Sequence, residues 1–221
     1  MSASTMQPKL DQLAGLTGVR AGALSRWQET GWPNNRVEQW RFTRLTSLEK
    51  MDLRPASNAA TLGNAATAAT LPENGVVLSF SNGVLDVAGL AALPDGVKAS
   101  FLSENDTALA ALAASVPKSH PISDLSLAVM TSGLHLEIVG KVDVPIILVF
   151  TGEDNGVSSH PVLSVKLADG ASAALAEWHQ SAVGLSAPLM AIEVGDKARL
   201  DYAKVQRDSA QSAHLAATGL T

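Results

Sequence analysis

The sequence predicts a mixed α/β chain with a mainly β second half, in which a helical N-terminal region is followed by the opening coils of a parallel β-helix. Two observations carry this reading. The first is an internal repeat: Pro161-Val-Leu-Ser-Val-Lys-Leu-Ala-Asp-Gly-Ala-Ser-Ala-Ala-Leu-Ala-Glu-Trp-His-Gln180 aligns without a gap over Pro188-Leu-Met-Ala-Ile-Glu-Val-Gly-Asp-Lys-Ala-Arg-Leu-Asp-Tyr-Ala-Lys-Val-Gln-Arg207, an offset of 27 residues. The opening proline, the turn aspartate (Asp169, Asp196), Ala171 with Ala198, and Ala176 with Ala203 are identical. Each copy reads as an alternating strand, a tight turn and a second strand, and a period of about 20 to 50 residues is the mark of solenoids and other arrays. The second observation is composition. Of 221 residues 46% are hydrophobic but only 4% aromatic, and a core filled by small aliphatic side chains suits the thin interior of a solenoid.

Strand–turn–strand units joined head to tail also fit an antiparallel meander in a sandwich, and spacing alone does not separate the two. The Ala168-Asp-Gly170 and Gly195-Asp-Lys197 turns would close hairpins in a meander. In a β-helix equivalent residues stack directly, and Val165 with Ile192, Leu167 with Val194, and Leu175 with Tyr202 would do so. That match favours the helix.

Along the chain, Leu10, Leu13, Val19, Ala23 and Trp27 recur at helical intervals from Gln7 to about Thr30, interrupted by Gly15 and Gly18, and predict two short helices. Gly31 with Pro33 stops the second. A third is expected from Asn35, with Asn35 as cap and Glu38 completing a capping-box pattern. In Glu38-Gln-Trp-Arg-Phe-Thr-Arg-Leu45 the two aromatics are expected to pack on the next layer under arginine stems, with a partner-recognition surface as the other reading. Residues 56–70, low in charge and in large apolar side chains, read as a linker. Val76–Ser81, the Asn82-Gly83 turn and Val84–Val87 form the strongest hairpin signal. A strand from Val97 to Leu102 follows the Pro94-Asp-Gly96 turn; Asn105 caps an alanine-rich helix to about Ser115, and Ser123 caps another that ends at Gly133. From Leu134 the repeats take over, with His135–Val139, a Gly140-Lys141 turn and Val144–Phe150 as a looser first copy and Ala213–Thr218 as the start of another. The chain thus divides into a helical region (1–55), a linker (56–70), a mixed α/β segment (71–133) and β-helix coils (134–221).

The net charge of −5 and a pI near 5.5 speak against nucleic acid or an anionic membrane as partner. There is no cysteine, so disulfides, thiolate metal sites and a cysteine nucleophile are excluded. No basic N-terminal segment precedes an apolar run and no stretch approaches the ~20 apolar residues of a membrane helix, so a soluble cytoplasmic protein is expected. The five histidines (His120, His135, His160, His179, His214) form no HxxxH pair. There is no Gly-x-Ser-x-Gly elbow and no phosphate-binding Gly-x-x-x-x-Gly-Lys-Ser/Thr loop. No catalytic, cofactor-binding or metal-binding residue is therefore assigned, and an enzyme is not expected.

Four blocks, in order, resemble the SufB/SufD family of iron–sulfur cluster assembly proteins, and its SufD members most. They are Gly31-Trp-Pro-Asn-Asn-Arg-Val-Glu-Gln-Trp-Arg-Phe-Thr-Arg-Leu45; Val77 to Leu93 with Asn82-Gly83, followed by Leu93-Pro-Asp-Gly-Val97; His160-Pro-Val-Leu through Glu177-Trp-His179; and Ala198-Arg-Leu-Asp-Tyr-Ala-Lys-Val-Gln206. The resemblance implies a helical N-terminal region, a right-handed parallel β-helix and a C-terminal helical region. It implies a non-catalytic scaffold subunit that forms a heterodimer with a SufB-like paralogue, joins the SufC-like ATPase, and carries an iron–sulfur cluster only transiently, at the level of the complex. Compared with that pattern the chain stops a few coils into the β-helix, so it is expected to be an N-terminal portion, with self-association or fraying at an uncapped last coil.

The related SufB proteins carry a glutamate and a nearby cysteine in a block similar to Glu177-Trp178-His179. Glu177 and His179 are two apart, on one strand face, as chelation needs. Without cysteine no cluster is held here by thiolates, and both are expected to be strand-end side chains facing solvent. The alternative to the scaffold, taken from the repeat and the histidines alone, is a β-solenoid or cupin-like domain with a small-molecule or metal site.

Overall fold

A computed structural model describes residues 13, 15–43, 45–51, 53–56, 71, 74–102, 107–116, 121–152 and 156–221. The helical elements are α1 (Gly18–Thr30), a 3-10 turn (Glu38–Trp40) and α2 (Thr46–Lys50). A short β1 (Arg54–Pro55) precedes β2 (Val76–Ser81), β3 (Val84–Leu85), a second 3-10 segment (Val87–Ala92) and β4 (Val97–Phe101). Then come α3 (Thr107–Ser115) and α4 (Pro121–Ala128).

From β5 onward the chain is all strand and visits three sheets in rotation. The first turn is β5 (Gly133–Ile138), β6 (Ile146–Gly152) and β7 (Val157–Ser159). The second is β8 (Val162–Leu167), β9 (Ser172–Ser181) and β10 (Gly184–Ser186), and the third is β11 (Leu189–Val194), β12 (Arg199–Gln206) and β13 (Ser212–His214). With β14 (Ala217–Leu220) a further turn starts. The sheets run β4-β5-β8-β11-β14, β3-β2-β6-β9-β12 and β1-β7-β10-β13.

Strands of successive turns pair in parallel, Gly133 against Val162, Val162 against Leu189 and Leu189 against Ala217. The second half is therefore a parallel β-solenoid of three turns, and the meander is excluded. Val165 stacks on Ile192, Leu167 on Val194 and Leu175 on Tyr202, as the repeat predicts. Among the described residues the antiparallel pairs are β2–β3 and β4–β5, at the N-terminal edges of two sheets. There β3 and β4 occupy edges that would otherwise be open for pairing.

Two apolar layers result. Inside the solenoid, Leu134, Leu136 and Ile138, Leu163, Val165 and Leu167, and Met190 and Ile192 face Leu78, Phe80, Ile146, Leu148, Phe150, Ala173 and Leu175 from the second sheet. On the outside of the first sheet, Val162, Leu189, Ala191 and Ala217 pack against Trp27, Leu109, Leu112, Leu125 and Leu127 of α1, α3 and α4. A strand covered on both faces has no polar side, which is why Leu189–Ile192 is continuously apolar and buried.

Several local expectations are met. Gly31 ends α1 with φ +64 and its N–H on the Trp27 carbonyl at 2.7 Å. Asn82 and Gly83 take φ +50 and +84 between Ser81 and Val84, as a two-residue hairpin turn requires. The return strand is only two residues long because the Asp86 side chain accepts the Ala88 N–H and starts the 3-10 segment.

The interruption expected at Gly15 and Gly18 is present, with φ +97 and +56 at the two glycines and α1 opening at Gly18; the helix expected before Leu13 lies outside the described residues. Others are corrected. No α-helix starts at Asn35. The Asn34 side chain accepts the Arg36 N–H and the Asn34 carbonyl accepts the Val37 N–H, a local turn that uses the donors a helix start would need. Of the two aromatics in that block Trp40 is buried, but Phe42 is 89% exposed under the Arg41 guanidinium. Ser123 lies within α4, buried, and is no cap: the helix opens at Pro121, where a missing N–H costs nothing. It closes at Ala128 so that β5 can begin at Gly133. The expected cap Asn105, His120 and the linker from residue 57 to 70 lie outside the described residues.

Gly83 and Gly170 both have positive φ, but a Cβ on Gly83 would lie 2.9 Å from Ser159 Oγ and 3.0 Å from the His160 nitrogen, whereas one on Gly170 would meet nothing within 4 Å. Gly170→Ala should therefore cost about 1 kcal/mol from backbone strain alone. Gly83→Ala should cost at least ~1 kcal/mol more, as read from denaturant midpoints of the two variants.

Candidate functional site

Alternate residues of β9 point into the solenoid, and along the strand they change from Ala173 and Leu175 to Glu177, His179 and Ser181, all buried. Glu177 is 1% exposed and His179 0%, so the expectation that they face solvent is wrong. The strand runs on to Ser181, and its neighbours supply what burial removes. In the register, Glu177 lies between Leu148 of the preceding turn and Lys204 of the next, and His179 between Phe150 and Gln206. Phe80, Phe150 and His179 form a stack, with centroids 5.0 and 4.5 Å apart and the second pair nearly coplanar at 6°.

Glu177 accepts three donors. Its Oε2 takes the His179 Nε2–H at 2.6 Å and lies 3.2 Å from Lys204 Nζ, while Oε1 takes the Tyr202 hydroxyl. Burial alone would raise the carboxyl pKa; the His179 bond, the Lys204 charge and the Tyr202 bond outweigh it and hold Glu177 at about 2. Burial, only partly opposed by Glu177, lowers the His179 pKa, which leaves a neutral imidazole with its proton on Nε2. Tyr202 is pushed up by burial and by the carboxylate it donates to.

A second carboxylate–imidazole pair adjoins the first. His214 of β13 meets the His179 ring edge-on at 4.6 Å and 83°, and its Nδ1 lies 3.2 Å from Asp208 Oδ2. Asp208 Oδ1 accepts the Ser181 N–H at 2.6 Å. Burial would raise Asp208, but His214 and that N–H bring it below the usual carboxylate range. His179 Nδ1, both ring nitrogens of His214 and Asp208 Oδ2 are buried without a hydrogen-bond partner among the described residues, so the Asp208–His214 contact is one of distance and charge rather than of hydrogen-bond geometry. No group of three or more His, Cys, Asp or Glu there is placed to hold a metal ion. What this arrangement does chemically is hold a fixed carboxylate beside two touching imidazoles.

Glu177, His179 and His214 are thus brought together; His135 and His160, the other described histidines, are not. His160, between β7 and β8, is wholly buried, with Nδ1 3.2 Å from Ser126 Oγ, whose hydroxyl donates to the Ala187 carbonyl at 2.8 Å. The imidazole must therefore donate from Nδ1, which leaves Nε2 unpartnered and buried. Burial pushes its pKa down to about 3. A serine and histidine with neither an orienting carboxylate nor solvent access do not form a hydrolytic triad. His135 shares a 3.0 Å contact with Ser164 across β5 and β8. Tyr202, Lys204 and Asp208 were missed as site residues, although Lys204 stands one repeat, 27 residues, after Glu177.

A groove of about 500 Å³ opens on the helical layer between α1, α3 and α4, lined by Val19, Gly22, Val116 and Leu127 with the Arg26–Asp124 ion pair at 2.7 Å. It shares no residue with the polar cluster. Compared with models of known protein families and with curated proteins, the chain matches none.

Glu177→Ala would leave three buried or half-buried donors without their common acceptor and should cost about 3 kcal/mol of unfolding free energy. Lys204→Met, which leaves two donors on Glu177, should cost less than about 1 kcal/mol; urea titrations of the two variants check the order. Because folded His160 binds its proton only near pH 3 and the unfolded chain does so near 6.5, its contribution is present above about 6.5 and lost as pH falls toward 3. Glu177, depressed from 4.5 to about 2, begins to lose its contribution only below about 4.5. His160→Asn should therefore flatten the stability–pH curve between those limits by one proton, about 1.4 kcal/mol per pH unit, in unfolding titrations at stepped pH.

Proposed function

We propose that this chain is a SufD-like scaffold subunit of the SUF iron–sulfur cluster assembly complex, non-catalytic itself, which supports cluster assembly together with a SufB-like paralogue and the SufC-like ATPase. The observation that carries the reading is the set of four ordered blocks, set in a helical N-terminal region followed by a parallel β-solenoid, the architecture the resemblance implies. The blocks hold structural positions, as a scaffold's would. The first supplies buried Trp32, Trp40 and Leu45 to the helical layer, the second is the β2–β3 hairpin, the third runs from His160 to His179, and the fourth is β12. With no cysteine in the chain, thiolate ligands for a cluster would come from a partner, and the cluster is cargo of the complex.

A second reading, a solenoid with its own metal or small-molecule site, is favoured by the unpartnered nitrogens of His179 and His214 beside their carboxylates. Its cupin-like form does not fit, because the strands of the solenoid pair in parallel where a cupin's jelly roll is antiparallel. Co-expression with SufB-like and SufC-like proteins should give a complex that elutes as one species in gel filtration. Separate elution would overturn the scaffold, and a stoichiometric metal in the purified chain would favour the second reading.

A further inference from the structure

We propose that the groove between α1, α3 and α4 is a binding site for an uncharged, chiefly aliphatic molecule that carries one carbonyl oxygen. This inference does not rest on the scaffold reading.

The groove exists because the helices that face it present small side chains. Gly18, Gly22 and Arg26 follow one another at one-turn intervals on a single stripe of α1, so the two glycines leave space in front of the arginine. Ala113 and Ala114 do the same on α3. A Cβ on Gly22 would meet Arg26 Nη1 at 3.4 Å, so among the described residues no neighbouring element occupies the space beside it. The walls are apolar, from Val19, Val116 and Leu127. A concavity of about 500 Å³ with apolar walls and few polar groups has the size and character of a small-molecule site.

Two polar features set the chemistry of the ligand. Ser123 of α4 lines the groove, is 3% exposed, and its hydroxyl has no hydrogen-bond partner among the described residues. A buried hydroxyl left unbonded is costly, and an acceptor brought by a ligand offsets that cost. The other feature is the Arg26–Asp124 pair, in which Nε and Nη2 both donate to Asp124 Oδ1, at 2.9 and 2.7 Å. These charges are already matched. A carboxylate in the groove would be set beside Asp124 and an ammonium beside Arg26, each against a like charge. The groove therefore takes a neutral molecule, whose aliphatic part lies on Val19, Val116 and Leu127 and whose carbonyl accepts from Ser123 Oγ.

An NMR titration of the amide signals of the 221-residue chain, with methyl hexanoate as the probe, tests the site. Saturable shifts are expected at 18–26, 113–116 and 123–127, while β6 and β9 stay unmoved. Hexanoate, the carboxylate counterpart, should bind at least about tenfold more weakly. Ser123→Ala should weaken methyl hexanoate binding about fivefold. It should leave the urea midpoint of the free chain unchanged or higher, because no bond within the fold is lost. Gly22→Leu, which improves helix propensity and puts a side chain into the groove, should abolish the shifts; Ser123→Ala serves if that variant fails to fold. The site is overturned if methyl hexanoate gives no saturable shift at these amides, if hexanoate binds as well, if Gly22→Leu leaves binding intact, or if Ser123→Ala lowers stability without changing affinity.

Discussion

In-register stacking of each turn on the one before governs this structure. Parallel pairing sets residue against residue at each strand, Leu134 on Leu163 on Met190, Ile146 on Leu175 on Tyr202. Whatever one turn places at an inward position must be compatible with the same position in the next. The apolar ladders, the Phe80–Phe150–His179 stack and the corner where Asp169 Oδ1 accepts the Asp196 N–H at 2.9 Å are all products of that constraint. Even the exception follows it: Lys197, at φ +58, stands one repeat after Gly170 at φ +71, so the turn geometry is kept where the glycine is not.

The same constraint decides what could be read in advance. Turn and strand positions were legible because they depend on local chemistry: glycine or asparagine where φ is positive, alternation where one face is buried. Asn82-Gly83, Gly31 and the 27-residue register needed no tertiary information. The helix starts were less so. Asn34 and Asn35 are equally good caps in isolation, and only the bond from Asn34 to the Arg36 N–H tells which is used. Pro121 was a better start signal than Ser123, since the hydroxyl of Ser123 is buried within the helix.

The candidate site was hidden for a different reason. Alternation places Glu177 and His179 on one face, but polarity then argues that the face is outside, and at Leu175 the same face is plainly inside. The conflict resolves only across turns. Tyr202 and Lys204 belong to a strand that, taken alone, looks solvated along its length, and Asp208 and His214 lie beyond the aligned repeat. The burial of His160 had no local signal at all, since its environment is made by Ser126 of α4 and the Ala187 carbonyl it bonds.

A buried carboxylate with three donors is weak evidence for stability, since well-packed apolar residues in the same space often do as well. It does act on register. Aliphatic ladders are nearly interchangeable: Leu, Val, Ile and Met succeed one another at equivalent places, and a turn stacked on the wrong neighbour would still bury them. The charged rung is not interchangeable. If the third turn were laid on the first, Lys204 would meet Leu148 and Tyr202 would meet Ile146, and the carboxylate would be left buried without its cation and without the tyrosine hydroxyl, two of its three donors. An uncompensated buried charge costs several kcal/mol, on the order of 3 to 5, more than any single exchange among aliphatic rungs. In a solenoid whose interior is otherwise so uniform, the Glu177–Lys204 rung is the feature that distinguishes one turn from another, and it does so at the same place where the two imidazoles meet.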